Sequence, residues 1–422
     1  MERNTGRTTC LVVGGGPAGM VLGLLLARGG VEVTVLEKHG DFLRDFRGDT
    51  VHASTLTLMD ELGLGPAFEQ VPHQDVDKVE ALLDGGEQAV VADLKRLPGP
   101  NKRIAMVPQW DFLDLLADAG KLEPAFTLRM NTEVTGITRS GNRVTGVKYR
   151  DRADGHEGEI AADLVVAADG RSSILRDAVN LPVYSFGAPM DVWWFRLPRN
   201  GDEPVVGGAG RFSAGSAMVL IPRGDYFQCA FLIRKGTDQQ LRAEGVEKFR
   251  ERVVTLVPWL ADRVDHIRSM DDAKLLDVKL DRLRQWHVDG LLCIGDAAHA
   301  MSPVGGVGIN LAVQDAVAAA RLLAKPLRQG LVTSAALAKV RRRRLFPTVV
   351  IQTLQRIIHR VFLGRKLGST ETVSTTGMPF MLRLVQKLPF LQVVPAYVIA
   401  IGPRPEHAPE FARREPQTIV RS

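Results

Sequence analysis

Two hydrophobic periodicities alternate along this chain. Short runs dominated by apolar residues, Cys10–Val13, Val31–Leu36, Leu164–Ala168 and Leu291–Ile294, have the composition of parallel strands buried on both faces. Each stops at a glycine or an acid: Gly14, Glu37, Asp169, Gly295. Between them, apolar residues recur at helical spacing after Gly19, after Gln109 and from Ile309 to Leu323. A second pattern has period two and predicts strands of another sheet: VEALL and QAVVADL between residues 71 and 103, then DVWWFRL, AMVLIPR and YFQCAFLIR between 181 and 285, with one helix near 246–257. Paired strands are expected around Val134 and Val144. The order predicts an α/β chain in which residues 1–70, 104–180 and 286–330 build one discontinuous domain and 71–103 and 181–285 a second. A helical region follows over 331–422.

The loops that close the apolar runs carry the chemistry. Gly14 to Gly19 reads GGGPAG, a G-x-G-x-x-G pattern between a strand and a helix. Gly14 permits the tight turn, Gly16 lets the backbone approach a pyrophosphate, and Gly19 lets helix and strand pack closely. The helix start, with Pro17 and Ala18 in its first turn, offers free N–H groups and a positive dipole end to phosphate. Glu37, followed by Lys38, stands about 20 residues beyond the loop, where a carboxylate takes the ribose hydroxyls of an adenosine and disfavours a 2′-phosphate. This loop alone does not separate NAD from FAD. The second loop, GDAAHAMSPVGGVGIN, does: Asp296 ends a strand and so points into a ligand crevice, while Gly305, Gly306 and Gly308 bare backbone N–H groups ahead of a helix. A reduced flavin carries negative charge on its N1 and C2 carbonyl side, which suits that helix start. Two such loops, far apart in sequence, predict one long cofactor gripped at both ends.

A third segment, Asp169–Gly170 within ADLVVAADGRSS, lies between them. With these three motifs in this order the chain resembles the class A flavoprotein monooxygenases, the FAD-dependent aromatic hydroxylases related to p-hydroxybenzoate hydroxylase, from about Thr9 to Leu323. The resemblance implies a Rossmann-like FAD-binding domain interleaved with a β-sheet substrate domain. It implies Glu37 on the adenosine ribose, Asp296 on the ribityl chain, and the loop Pro303–Asn310, including Gly306, Gly308 and Ile309, along the isoalloxazine edge. Asp169 and Gly170 would lie near both FAD and the NAD(P)H route. Arg47, in DFRGDT, matches an arginine at the FAD phosphate and ribityl region, with Arg44 competing for that role. Gln109, in VPQWDFL, matches a flavin-side position, against the alternative of a plain helix N-terminal residue. The implied activity is hydroxylation of an apolar aromatic, polyketide or quinone-like molecule through a flavin C4a-hydroperoxide. NAD(P)H would be a transient electron donor, because only one dinucleotide loop is present. An isoprenoid reductase or desaturase, or a quinone-precursor hydroxylase, shares the scaffold and stays open. A halogenase is disfavoured, since Trp193 and Trp194 are adjacent where that group has W-x-W-x-I-P.

Composition changes this picture little. The chain has 422 residues and three cysteines, Cys10, Cys229 and Cys293, with no C-x-x-C pair, which disfavours a disulfide framework, a zinc site and a dithiol reductase. The glycine pattern inside the N-terminal apolar run argues against a secretion signal and for a cytoplasmic protein. The formal charge of +6, with Arg341 to Arg344 in a row, reads as a solvated helix face and not as nucleic-acid binding, because no recognition motif or interleaved aromatics accompany it. Val349–Leu363 is helical in pattern and Phe380–Ile401 is apolar but broken by prolines, too short for a membrane span. Packing on the main body is expected, leaving room for a homodimer or for peripheral membrane contact. Trp193, Trp194, Phe195, Met218 and Phe227 are candidates for an apolar roof over the reacting centre, against plain core as the commoner role of each, with Arg211, Arg223 and Tyr226 as weaker polar ones. No residue stands out as a general base, and His299 is assigned to packing beneath the second loop.

Overall fold

The computed structural model describes residues 5–43, 50–82, 88–200, 203, 209–213, 216–360 and 388–416; Arg44 and Arg47 lie outside them, as does the side chain of Arg211. The apolar runs form the predicted parallel sheet. Its strands follow the order Leu291–Cys293, Glu157–Ala167, Thr5–Val13, Val33–Leu36, Phe126–Arg129, all parallel. His287–Val288 adds antiparallel at one edge, and Thr132–Ser140 with Arg143–Asp151 extends the sheet as an antiparallel wing. Cys10, Leu11, Val33, Leu164, Val165, Leu291 and Leu292 are fully buried, as expected of strands covered on both faces. Helix Pro17–Arg28 is buried from Ala18 onward and packs against helices Gln109–Lys121 and Gly308–Arg328. Its last residue, Arg28, is also buried, because its guanidinium donates to the Leu62 and Ala412 carbonyls and pairs with Glu123 at 2.8 Å.

The period-two segments form a seven-stranded sheet in the order Lys274–Leu276, Met190–Pro198, Tyr226–Arg234, Ser216–Arg223, Ala209–Ser213, Lys78–Leu82, Gln88–Asp93. Alternation splits its side chains between two faces. Trp193, Phe195, Leu197, Met218, Phe227 and Phe231 pack against Phe249, Val253 and Leu256 of helix Val246–Leu256. Met190, Val192, Ala217, Ala230 and Leu232 face the other way, with Trp194, Val219 and Val304 packed beside them. Of the roof candidates, Trp193, Phe195, Met218 and Phe227 take the plain-core role under the helix, and Trp194 shares a cluster with Val304 of the second glycine loop. Tyr226 sits under the Arg196 guanidinium, 5.0 Å from its ring centre, and Arg223 is half-buried at a strand end. A small sheet of Thr50–Val51, Ile104–Met106 and Gln74–Val76 stands apart from both larger ones.

Helix Ser334–Ile358 lies along Gly308–Arg328, and helix Val393–Ala400 packs against Gln88–Asp93. The solvated-face reading fails for Arg344, which is fully buried. Its Nε donates to Asp315 Oδ1 at 3.0 Å and its Nη1 to the Arg404 carbonyl, while Arg343 pairs with buried Glu406 at 2.6 Å. A buried guanidinium persists because carboxylates meet it there. Among the described residues no helix is long and apolar enough to cross a membrane.

Candidate active site

The three glycine-bearing motifs meet at the carboxyl ends of the parallel strands. Gly14 adopts φ +108°, and a Cβ there would stand 2.4 Å from the Ala168 carbonyl oxygen, next to Asp169. Gly295, at φ +57°, packs between the first turns of two helices: a Cβ on it would lie 3.4 Å from Ala18 Cβ and 3.1 Å from Ala312 Cβ. The strands bring this about by direct bonding, Ala168 N–H to Val13 O at 2.8 Å and Ile294 N–H to Ala167 O at 3.0 Å. Motifs some 280 residues apart thus share one crevice, where an open parallel sheet places its ligand.

At one end, Gly16 is extended (φ −75°, ψ 179°), and a Cβ on it would meet nothing within 4 Å, so a ligand's approach to this backbone is unobstructed. Gly19 is the opposite: a Cβ would fall 1.9 Å from Gly14 O. The helix starting at Pro17 has no side-chain cap, which leaves its first N–H groups for an anion. Glu37 is half-buried; its Oε2 accepts the Gly15 N–H at 3.0 Å and its Oε1 the His39 N–H at 3.1 Å. Lys38 is exposed beside it. Those two bonds aim the carboxylate across the loop.

In the middle stand two acids. Asp169 accepts the Leu175 N–H at 3.4 Å through Oδ2, while its Oδ1 is buried without a partner. Burial raises its proton affinity above the ordinary carboxylate value, against hydrogen bonds from Ser173 and nearby amides. Gly170 follows at φ +86° in open surroundings. Asp296 is half-buried, 3.4 Å from Arg171 Nη2, and Arg171 also donates to the Asp277 carbonyl. Gln109 is the half-buried first residue of its helix, behind Pro108.

At the far end, helix Gly308–Arg328 starts after Val307, again without a side-chain cap. The loop before it is held from three sides. Thr50 Oγ1 donates to Gly306 O at 2.9 Å; Gln355 donates to the Ser302 and Val304 carbonyls, both at 2.9 Å; and Gln352 donates to the Ala300 carbonyl. His359 meets Ser302 Oγ at 2.8 Å. Pro303 and Ile309 are half-buried on this loop. Asn310 is buried, and its side-chain oxygen accepts from Ser54 and Thr55 at 2.8 and 2.9 Å, so a cofactor role falls to its backbone. His299 is buried with Nε2 2.5 Å from Asp315 Oδ2, which also accepts the Gly295 N–H. Burial opposes ionisation of Asp315, but His299 and Arg344 outweigh it and hold the carboxyl below the usual range.

Sequence reasoning missed the loop's supports. Gln352, Gln355 and His359 form a polar stripe at spacings of three and four among the apolar residues at the end of helix Ser334–Ile358, a visible signal. Thr50, His52 and Asp315 gave none. His52 is fully buried, with Nδ1 2.8 Å from the Ile399 carbonyl; burial lowers its pKa to about 4, so it is neutral at pH 7.

Uncapped helix starts at both ends, an unobstructed glycine backbone, an unpartnered carboxylate oxygen and a second half-buried acid between them fit a long, negatively charged cofactor. Residues 7–353 match the family model described as an FAD binding domain. The chain is 35% identical over 386 residues to 6-methylpretetramide 4-monooxygenase of Streptomyces rimosus, covering 90% of each protein. It is 27% identical over 340 residues to protoasukamycin 4-monooxygenase of Streptomyces nodosus subsp. asukaensis, covering 76% of this chain and 81% of that one. Its fold matches the solved anhydrotetracycline hydroxylase of Streptomyces rimosus with a TM-score of 0.71 at 20% identity, over 93% of this chain and 76% of that one. This chain therefore belongs to the FAD-binding monooxygenase family and is an FAD-dependent, NAD(P)H-consuming oxidoreductase.

Proposed function

We propose that the enzyme hydroxylates a flat, polycyclic aromatic polyketide of the pretetramide kind. The observation that carries this is the 35% identity to a pretetramide monooxygenase over nine-tenths of both chains. The aliphatic sheet face of Met190, Val192, Ala217, Val219, Ala230 and Leu232, largely buried beside Val304 of the second loop, is compatible with it, because it would give the site an apolar wall. When bound, FAD would supply the redox chemistry that couples NAD(P)H oxidation to oxygen transfer from dioxygen to the ring.

In this reading the helix start at Pro17 takes the pyrophosphate, with Gly16 giving way to it. Glu37 holds the adenosine ribose, Asp296 the ribityl chain, and the amides from Gly306 to Asn310 the pyrimidine edge of the flavin. Asp169, with its unpaired oxygen, and Gly170 line the middle of the crevice, and Gln109 its flavin side. The chain's remaining task is to keep water from the reacting ring, which the aliphatic sheet face does. A phenol is electron-rich without help, so no general base is required of the protein. The FAD-binding domain comprises 1–70, 104–180 and 286–330, with the substrate domain between.

The test is NAD(P)H oxidation by the purified holoenzyme across simple phenols, aminoaromatic acids and tetracyclic aromatic polyketides. Acceleration by the tetracycles, with coupled oxygenated product, is expected. Acceleration by single-ring phenols alone would contradict the substrate assignment.

A further inference from the structure

On the aliphatic sheet face one polar atom stands out. Trp194 packs against two apolar clusters at once: Met190, Val192, Ala217 and Val278 with Val304 of the second glycine loop, and Ile104, Met106 and Ala396 with Tyr397 of the C-terminal helix. Its Nε1 is shielded from solvent and meets no acceptor, although the side chain as a whole is only partly buried. The adjacent Trp193, on the opposite face, has its Nε1 satisfied by Asp238 Oδ1 at 2.7 Å. Trp286 Nε1 also lacks an acceptor, but that ring is fully enclosed beside His299, out of reach of any ligand. An unpaired N–H in apolar surroundings is disfavoured unless an acceptor arrives.

We propose that Trp194 is a substrate contact: its indole N–H donates to a carbonyl or hydroxyl oxygen of the polycyclic substrate, and its ring lies against the substrate's aromatic plane. This rests on the proposed function, which puts the substrate on this sheet face. An aromatic donor in an aliphatic wall does two things. The ring adds apolar contact that any flat aromatic accepts. The N–H sets which way round the polycycle lies, since only a ligand with an oxygen at that point gains the hydrogen bond. Trp194 therefore governs orientation and so the carbon that is oxygenated.

The experiment compares the FAD-loaded wild type with Trp194→Phe, which keeps an aromatic plane and removes the donor. Two probes are used, a hydroxylated naphthacene carboxamide and its analogue lacking the ring oxygens, with binding read from perturbation of the flavin absorbance. The substitution should weaken the oxygenated probe roughly five- to tenfold, as expected for one net hydrogen bond, and leave the deoxygenated probe unchanged. FAD content should stay at the wild-type value, which separates loss of the donor from loss of the cofactor site. Trp194→His, which restores a ring N–H, should recover part of the discrimination. Equal loss for both probes, or loss of FAD with no selective effect, overturns the proposal. A wild type that binds neither probe overturns the substrate class itself, a separate failure read before any variant is made.

Discussion

Asp296 and His52 illustrate two kinds of polar residue in this site. Asp296 is half-buried beside Arg171, and in the proposed reading its carboxylate accepts from a ribityl hydroxyl. A charge-assisted hydrogen bond of that kind is worth about 1.5 to 3 kcal/mol. Asp296→Ala should therefore raise the FAD dissociation constant on the order of 10- to 100-fold, measured by fluorescence of released flavin, with the apoprotein still folded. His52, by contrast, is structural. Its pKa falls from 6.5 to about 4, because burial disfavours the imidazolium more than the Ile399 and Gly306 backbone contacts favour it. The unfolded chain thus binds the proton more tightly. The stability His52 confers is complete above pH 6.5 and is lost as the pH falls toward 4, by about 1.4 kcal/mol per unit. Unfolding free energies from urea titrations at pH 6.5 and 5 should differ by about 2 kcal/mol through this residue, and His52→Asn, which keeps a donor for the Ile399 carbonyl, should remove that part of the pH dependence. An unchanged slope in the variant would show that other groups set it.

The first glycine loop and its helix separate packing from binding. Gly16 and Gly19 belong to one motif but fail differently. A Cβ at Gly19 collides with the Gly14 carbonyl inside the protein, whereas a Cβ at Gly16 enters only the space beside the helix start. Gly16→Ala should fold with near-native circular dichroism yet retain little FAD, while Gly19→Ala should lose both. FAD retained by Gly16→Ala would place the pyrophosphate elsewhere. Strand–loop–helix units of this sort were legible in the sequence, since apolar runs, glycine spacing and Glu37 each follow from local chemistry. The seven-stranded sheet was legible as alternation, and alternation already says that Trp193 and Trp194 point to opposite faces. Which face meets the cofactor domain depends on where helix Val246–Leu256 docks, and no local pattern contains that. The same limit explains Arg344: a row of four arginines reads as solvated until Asp315 and Glu406, distant in sequence, are brought beneath one of them.

At the scale of the whole molecule, the C-terminal region closes the fold back on the site. The Ile399 carbonyl accepts from His52, the Ala400 and Ile401 carbonyls from Ser54 and Gln314, and Glu406 from the two buried-facing arginines of helix Ser334–Ile358. Those same elements anchor the loop that carries Gly306 and Gly308, so flavin-loop geometry and C-terminal docking are one structural unit. In the proposed reading, cofactor residues on either side of an inserted sheet let the enzyme enclose FAD and a second, flat molecule together. The proposed reaction places one oxygen atom of dioxygen on that molecule. It is tested most directly by turnover of an accepted tetracyclic aromatic under ¹⁸O₂ with NAD(P)H, followed by mass analysis of the product. One ¹⁸O atom per product molecule, with NAD(P)H oxidation slow until the aromatic is added, is the result expected. An unlabelled product in which a carbon–carbon double bond has been reduced or formed would contradict the account and point to a reductase or desaturase on the same scaffold.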